Sequence, residues 1–251
     1  MGNPSRPSAA LSHRHDGITA LLRTQIKTRD RVRDLAEVYT HEREVNAMLD
    51  LVGDMFPTQE NPGNHDRKFL EPACGSGNFL EEILRRKLST VSVRRYGHSE
   101  RYEHRVLRCL ASIYAVDIDK ENVVESRERL KWVIATHVDN DLTTWAVSDG
   151  FASAVNAILV TNVVQGDTLT QAQSIHFIDY KPGRSGTFTR TWSPLEAPPT
   201  VEQLDLFAEP AAQPMKDEVA IHYSLLASNP EPVTAKKKTG TRRDTGTGQQ
   251  A

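Results

Sequence analysis

Apolar residues recur along the chain in two patterns, helical stripes and short continuous runs. In the stripes, apolar residues are three or four positions apart, which is typical of helices that bury one face. In the runs, successive residues are apolar and a polar or acidic turn follows, which indicates buried strands. The stripes predict helices after Thr40 and over about 79–88, 99–111, 120–136 and 144–156. The runs predict strands at 69–70, 113–116 and 158–164.

The order of these elements predicts an α/β fold. Strands that alternate with helices form a parallel sheet whose faces are covered by other elements. In such sheets ligands bind beyond the carboxyl ends of the strands. We therefore expect the polar turns after the three strands to converge on one site.

Two further features complete the predicted organisation. A hairpin is expected from strands Ile175–Tyr180 and Thr187–Trp192, because glycine and charged residues separate two alternating runs. We expect a flexible leader at 1–29, one domain at 30–195, and a proline-rich and basic tail at 196–251 that is largely disordered. Within that tail, Val201–Phe207 is predicted to be a short docking element.

Composition excludes several classes of protein. The 251 residues are 38% hydrophobic and contain no apolar stretch of membrane-spanning length, and the first 30 are too polar for a secretory signal. Two cysteines cannot form a disulfide framework or a four-ligand zinc site. We expect a cytoplasmic protein that uses neither a membrane nor a metal. Because the net charge is −2, any contact with nucleic acid needs a local basic patch.

The sequence around Gly75 and Gly77 predicts a nucleotide site, because glycines let the backbone pass close under a ligand. A phosphate-binding P-loop would need Gly-Lys-Ser/Thr, which the chain lacks, and a dinucleotide site would need a third glycine where Leu80 stands. An adenosyl ligand without a diphosphate remains. For that ligand, Glu71 precedes the turn and Asp117 ends the next strand, where a carboxylate can accept from ribose hydroxyls. The alternative is an ordinary tight turn between strand and helix.

The string Glu-Pro-Ala-Cys-Gly-Ser-Gly-Asn-Phe-Leu at 71–80 resembles motif I of the class I S-adenosylmethionine-dependent DNA adenine-N6 methyltransferases, which include the modification subunits of restriction systems. Three further segments are similar to motifs of that family in the family's order. Glu37–Thr40 resembles motif X, Tyr114–Asp119 resembles motif II, and Gln165–Leu169 resembles motif III. The resemblance covers about residues 30–170.

The resemblance implies a Rossmann-like, three-layer methyltransferase fold with a mostly parallel sheet, truncation of that fold being left open. It implies that Glu71 lies near the amino-acid end of the cofactor, that Asp117 accepts from the ribose, that Ile118 packs on the adenine and that Asp167 accepts from its amino group. For Asp117 and Asp167 the alternatives are a helix N-terminus and a plain turn. The residues implied to bind the cofactor are Tyr39, Thr40, Glu71, Pro72, Ala73, Cys74, Gly75, Ser76, Gly77, Asn78, Asp117, Ile118, Asp167 and Thr168.

The residues that would activate the methyl acceptor are not found by sequence. The family uses Asn/Asp/Ser-Pro-Pro-aromatic after its fourth strand, where polar groups accept the amino hydrogens and the aromatic ring stacks on a flipped base. That string is absent. Two substitutes were weighed, the pair Asp179 and Tyr180 and the pair Ser193 and Pro194, with hairpin chemistry as the alternative for both.

A basic segment at 85–108 carries eight lysines and arginines against Glu100 and Glu103, with Tyr96 and Tyr102 between them. Its pattern predicts either phosphate contacts beside the active face or a solvated helix surface. The basic residues of the C-terminal tail predict either a non-specific electrostatic tether or soluble disorder.

Together these features predict S-adenosylmethionine-dependent methylation of DNA, at adenine N6, in a restriction–modification or phage context. Two alternatives stay open. One is a catalytically incomplete cofactor-binding or regulatory subunit that needs a second chain for target recognition or for the missing motif. The other is a methyltransferase whose acceptor is not DNA.

Overall fold

The computed structural model describes residues 40–97, 100–141, 147–195 and 214–235. Contacts divide the chain into two units, Met1–His41 and Glu42–Ala251, and every element named below lies in the second. Its helices are α1 (Glu42–Asp50), α2 (Asn78–Leu88), α3 (Val93–Tyr96), α4 (Glu100–Ala111), α5 (Lys120–Asp141) and α6 (Asp149–Asn162). Its strands are β1 (Phe69–Glu71), β2 (Ile113–Asp117), β3 (Val163–Gln165), β4 (His176–Pro182), β5 (Thr187–Pro194) and β6 (Ile221–His222). Short 3-10 helices are Gly53–Met55, Pro62–Asp66, Ala172–Ser174 and Tyr223–Leu225.

The first three strands form a parallel sheet in the order β1-β2-β3, with Glu71 beside Ala115 and Ala115 beside Val163. All five residues of β2 are buried, which accounts for its uninterrupted apolar sequence and its central place. Helices α2, α4, α5 and α6 all contact β2 or β3. The predicted α/β class with parallel strands is therefore confirmed.

The two faces of this sheet are covered by different elements. On one face, Ala115 and Val163 belong to the large core that the helices build. On the other face, Tyr114 and Val116 pack against residues of the antiparallel sheet, with the Tyr114 and Phe177 rings 5.3 Å apart in an edge-to-face contact. The result is a helix layer, a parallel sheet and a partial cover of antiparallel strands.

The predicted strand at 158–164 is wrong over most of its length. Residues up to Asn162 belong to α6, and only Val163–Gln165 form β3. The buried residues of α6 are spaced as on one face of a helix, namely Phe151, Ala154, Val155, Ile158, Leu159 and Asn162. A continuous apolar run does not distinguish a buried helix from a buried strand, and here packing on both sides favours the helix.

The predicted hairpin is present as β4 and β5, which pair antiparallel from His176–Pro194 to Pro182–Phe188. The expectation of a largely disordered tail does not hold for residues 214–235. There β6 pairs with β5, and the fully buried Asp217 forms a salt bridge with Arg190 of β5, whose side chain is 2% exposed. The docking element predicted at Val201–Phe207 lies outside the described residues.

No helix in the described ranges is both long and apolar enough to cross a membrane.

Candidate functional site

The carboxyl ends of the three parallel strands meet, as the sequence predicts. The Cys74 N–H donates to the Val116 carbonyl over 2.9 Å, and the Gly166 N–H donates to the Asp117 carbonyl over 3.0 Å. The Thr168 hydroxyl, after β3, donates to the Pro72 carbonyl, after β1, over 3.3 Å. These bonds join the three turns into one surface above the sheet.

The turn between β1 and α2 uses glycine at two left-handed positions, Gly75 at φ +53° and Gly77 at φ +94°. Gly77 is required by the fold itself, because a Cβ there would lie 2.8 Å from the Ser126 hydroxyl and 3.1 Å from its Cα. Ser126 is fully buried on α5 and donates to the Gly75 carbonyl over 3.0 Å. Close packing of α5 against the turn therefore explains the second glycine without a ligand.

Gly75 differs, because a Cβ built on it meets no atom of the described residues within 4 Å. Its carbonyl and N–H are both bonded inward, the former to Ser126 and the latter to Asp117. The position is thus rigid on its inner side and open on its outer side. Such a backbone cradle can admit a ligand close to the main chain.

The Asp117 carboxylate, only 7% exposed, acts within the protein. Its Oδ2 accepts the Gly75 N–H over 2.7 Å, while its Oδ1 accepts the Asp119 N–H over 2.9 Å and the Asn122 amide over 3.1 Å. Charge-assisted bonds of this kind are the stronger ones in proteins. Asp117 therefore fixes the glycine turn to the end of β2, and Oδ2 keeps one lone pair for a ligand hydroxyl.

Two other acidic residues implied at the cofactor have different surroundings. Glu71 is half-buried, and burial raises the pKa of its carboxyl, against which the Ala73 N–H at 3.4 Å acts only weakly. Asp167 binds its own turn, where its carboxylate accepts the Thr170 hydroxyl and the N–H groups of Leu169 and Thr170. The Thr170 hydroxyl first, and then those N–H groups, lower the pKa of Asp167. That geometry is the one expected of a turn aspartate.

The remaining residues implied at the cofactor lie around the same turn. Pro72 and Ala73 are exposed, Ser76 is buried, and Asn78 begins α2. Ile118 directly follows Asp117 and is 55% exposed, so its side chain is free to cover a flat apolar ring. Burial raises the pKa of the Cys74 thiol to about 12, which leaves it protonated and suits a packing role. Tyr39 lies outside the described residues, and Thr40 belongs to the first unit.

Neither of the acceptor-activating candidates joins this surface. Asp179 lies 2.9 Å from the Lys68 ammonium, which precedes β1, and Tyr180 bonds its hydroxyl to Thr161 over 2.9 Å. Both contacts are at the amino ends of the parallel strands, opposite the glycine turn. Ser193 and Pro194 line a groove beside Leu70 in the middle of β1.

The basic segment is also placed away from the glycine turn. Arg85, Arg86 and Arg108 form salt bridges with acidic residues, and Lys87 is fully buried with its ammonium donating to the carbonyls of His65 and Arg67. The cations without an acidic partner in the described ranges surround Tyr96 and include Arg94, Arg95, Arg101 and Arg105. The Tyr96 ring lies 6.4 Å from that of His65, which precedes β1, so this group sits at the amino ends of the strands.

Sequence reasoning missed three residues that shape the site, namely Ser126, Asn122 and Gln165 as a side-chain donor. Gln165 donates to the Ile118 carbonyl over 3.1 Å and so ties β3 to the turn after β2. Ser126 and Asn122 are polar residues inside a helix, and nothing local in the sequence marks them as partners of a turn 40 to 50 positions earlier. Only their burial, at 0% and 3% exposure, identifies them.

Comparison of the chain with models of protein families, with curated proteins and with solved structures finds no match. The site must therefore be judged on its own geometry. The open face of Gly75, the carboxylate lone pair at Asp117 and the exposed Ile118 fit a nucleoside: a cradle, a hydroxyl acceptor and an apolar platform.

Proposed function

We propose that this chain binds S-adenosylmethionine above the glycine turn and serves the methylation of DNA, at adenine N6. The observation that carries the proposal is the open face of Gly75, held by Asp117 and Ser126 at the point where the three strand ends meet. When bound, S-adenosylmethionine supplies an electrophilic methyl group. The choice of DNA as acceptor depends on the resemblance of residues 71–80 to motif I of that family.

The chain's own residues have distinct tasks in this proposal. Asp117 orients the turn and offers its free lone pair to the ribose, and Ile118 packs against the adenine. Glu71 faces the amino-acid end, where its raised pKa reflects a partly dry environment. The Asp167 carboxylate, already occupied by its own turn, contributes mainly by shaping the loop after β3.

A second candidate function, a cofactor-binding subunit that requires another polypeptide, is favoured by one specific observation. The polar and aromatic pair Asp179 and Tyr180 lies at the opposite end of the sheet from Gly75. Within the described residues, no such pair stands at the glycine turn to accept the hydrogens of an amino group. An acceptor other than DNA is equally compatible with the cofactor residues.

Replacing Gly75 by asparagine tests the cofactor site. Asparagine tolerates a left-handed backbone, so Gly75→Asn should fold while its side chain fills the open space. We expect the dissociation constant for S-adenosylmethionine, measured by calorimetry, to rise at least about tenfold, or about 1.4 kcal/mol. Gly97→Asn is the matched control, because Gly97 also has a positive φ and open space.

Equal binding by the Gly75→Asn and Gly97→Asn variants would remove the turn from the cofactor site. Gly77 is unsuitable for this purpose, because any side chain there meets Ser126 and disturbs the fold. Transfer of tritium from labelled S-adenosylmethionine to unmethylated DNA then tests the acceptor. We expect Asp117→Ala to suppress that transfer, and labelling of protein or RNA instead of DNA would overturn the choice of acceptor.

A further inference from the structure

The edge of the parallel sheet formed by β1 has backbone groups without a strand partner. The Phe69 N–H donates to the Ser112 carbonyl over 2.9 Å, which directs residues 69 and 71 toward β2. In a parallel ladder the intervening residue faces the other way. The N–H and C=O of Leu70 therefore point outward, and no residue that the structure describes pairs with them.

Apolar side chains border this edge on both faces of the sheet. On one face, the side chain of Leu70 is 48% exposed beside a groove of about 310 Å³ that Tyr114, Phe177 and Leu195 also line. On the other face, the Phe69 ring stacks on Phe56 with centroids 4.9 Å apart. The chain that leads from α1 toward Phe56 exposes further large apolar residues, namely Met48 (55%), Leu51 (85%) and Val52 (39%).

The edge lacks the features that usually prevent strand addition. Proteins protect an edge with free charges, bulges or a covering element. The lysine here, Lys68, is neutralised by Asp179 at 2.9 Å. Because the edge is apolar and carries no unpaired cation among the described residues, it does not suit nucleic acid.

A second copy of this chain fits the edge poorly. Symmetric pairing of two β1 strands around Leu70 would place Lys68 opposite Pro72, whose nitrogen carries no hydrogen. That pairing would lose a backbone hydrogen bond on each side of the centre. A different polypeptide can choose its own register and apolar residues.

We propose that the free edge of β1 binds an extended strand of a different polypeptide, with apolar residues at alternate positions, which completes the parallel sheet. Its backbone bonds Leu70, and its apolar side chains fill the groove beside Tyr114 and Phe177. A strand parallel to β1 ends beside the glycine turn. There it can supply the polar and aromatic groups for the methyl acceptor, a role that rests on the proposed function, whereas the docking itself does not.

The test uses the full chain with p-benzoylphenylalanine in place of Leu70, in cells that naturally produce it. We expect ultraviolet light to cross-link position 70 to one different polypeptide, while the same group at the 95% exposed Leu169 does not capture it. Cross-links to residues of this chain or to a second copy, or no specific cross-link, would overturn the proposal.

The captured polypeptide is then purified, and amide exchange is measured residue by residue. We expect it to slow exchange at Leu70 at least about tenfold and to leave the central strand β2 unchanged. Leu70→Lys should weaken the complex at least about tenfold by adding a charge to the edge. Unchanged exchange at Leu70 would refute strand addition. The affinity of Leu70→Lys for S-adenosylmethionine should match that of the unmodified chain, so failure of cofactor binding and failure of docking give different results.

Discussion

Asp217→Asn is expected to lower the free energy of unfolding by about 3–5 kcal/mol, the cost of leaving a buried charge without its partner. Asp217 and Arg190 are 0% and 2% exposed, and the carboxylate accepts both from the guanidinium and from the backbone N–H groups of Arg190 and Val233. Burial alone would raise the pKa of Asp217, but the bonds from Arg190 and Val233 outweigh it and lower that pKa. Urea denaturation followed by circular dichroism measures the loss.

Two comparisons make this prediction specific. Glu128→Gln removes an exposed salt bridge with Lys131 and should cost at most about 0.5 kcal/mol. The double variant Arg190→Met with Asp217→Leu removes both charges and should recover much of the loss. If Asp217→Asn stays within about 1 kcal/mol of the unmodified chain, the pair does not hold residues 214–235 to β5 as described.

Acidification from pH 7 to pH 5 is expected to destabilise the fold by about 4 kcal/mol through His65 and His104, about 2 kcal/mol each. Burial, and then the charges of Arg105 for His65 and of Arg108 for His104, lower the pKa of each to about 4. The unfolded chain, with its histidine pKa near 6.5, binds more protons between these values. Stability therefore falls as the pH falls from 6.5 toward 4.

His104→Gln isolates one of these contributions, because glutamine does not titrate. His104 is 7% exposed, packs edge-to-face on Phe188 with centroids 4.6 Å apart, and its Nε2 has no partner among the described residues. The difference in unfolding free energy between pH 7 and pH 5 should shrink by about half in this variant. The matched control is His176→Gln at an exposed site, and an equal pH response in both variants would contradict a buried, neutral His104.

The features that sequence predicted correctly are those with a local cause. The run Ile113–Val116 is apolar throughout because β2 is buried on both faces, and a glycine pair between a strand and a helix stripe indicates a tight turn. Convergence of the strand ends then follows from parallel topology.

The features that sequence could not predict depend on distant partners. The last turns of α6 read as a strand because both sides of that helix are apolar. Residues 214–235 read as linker, although Asp217 finds its partner Arg190 27 positions earlier. Asp179 follows a plausible strand, but the direction of β4 carries it to the amino ends of the sheet, where Lys68 binds it.

The most direct test of the account is an amide NMR titration of the full chain with S-adenosylhomocysteine, the methyl-depleted form of the cofactor. We expect the resonances of Gly75, Ile118 and Thr168 to shift together and to saturate at one ligand per chain. Asp179 and Tyr180 should not move. Shifts centred on the groove between Leu70 and Phe177, or no shifts at saturating ligand, would contradict a nucleoside site above the glycine turn.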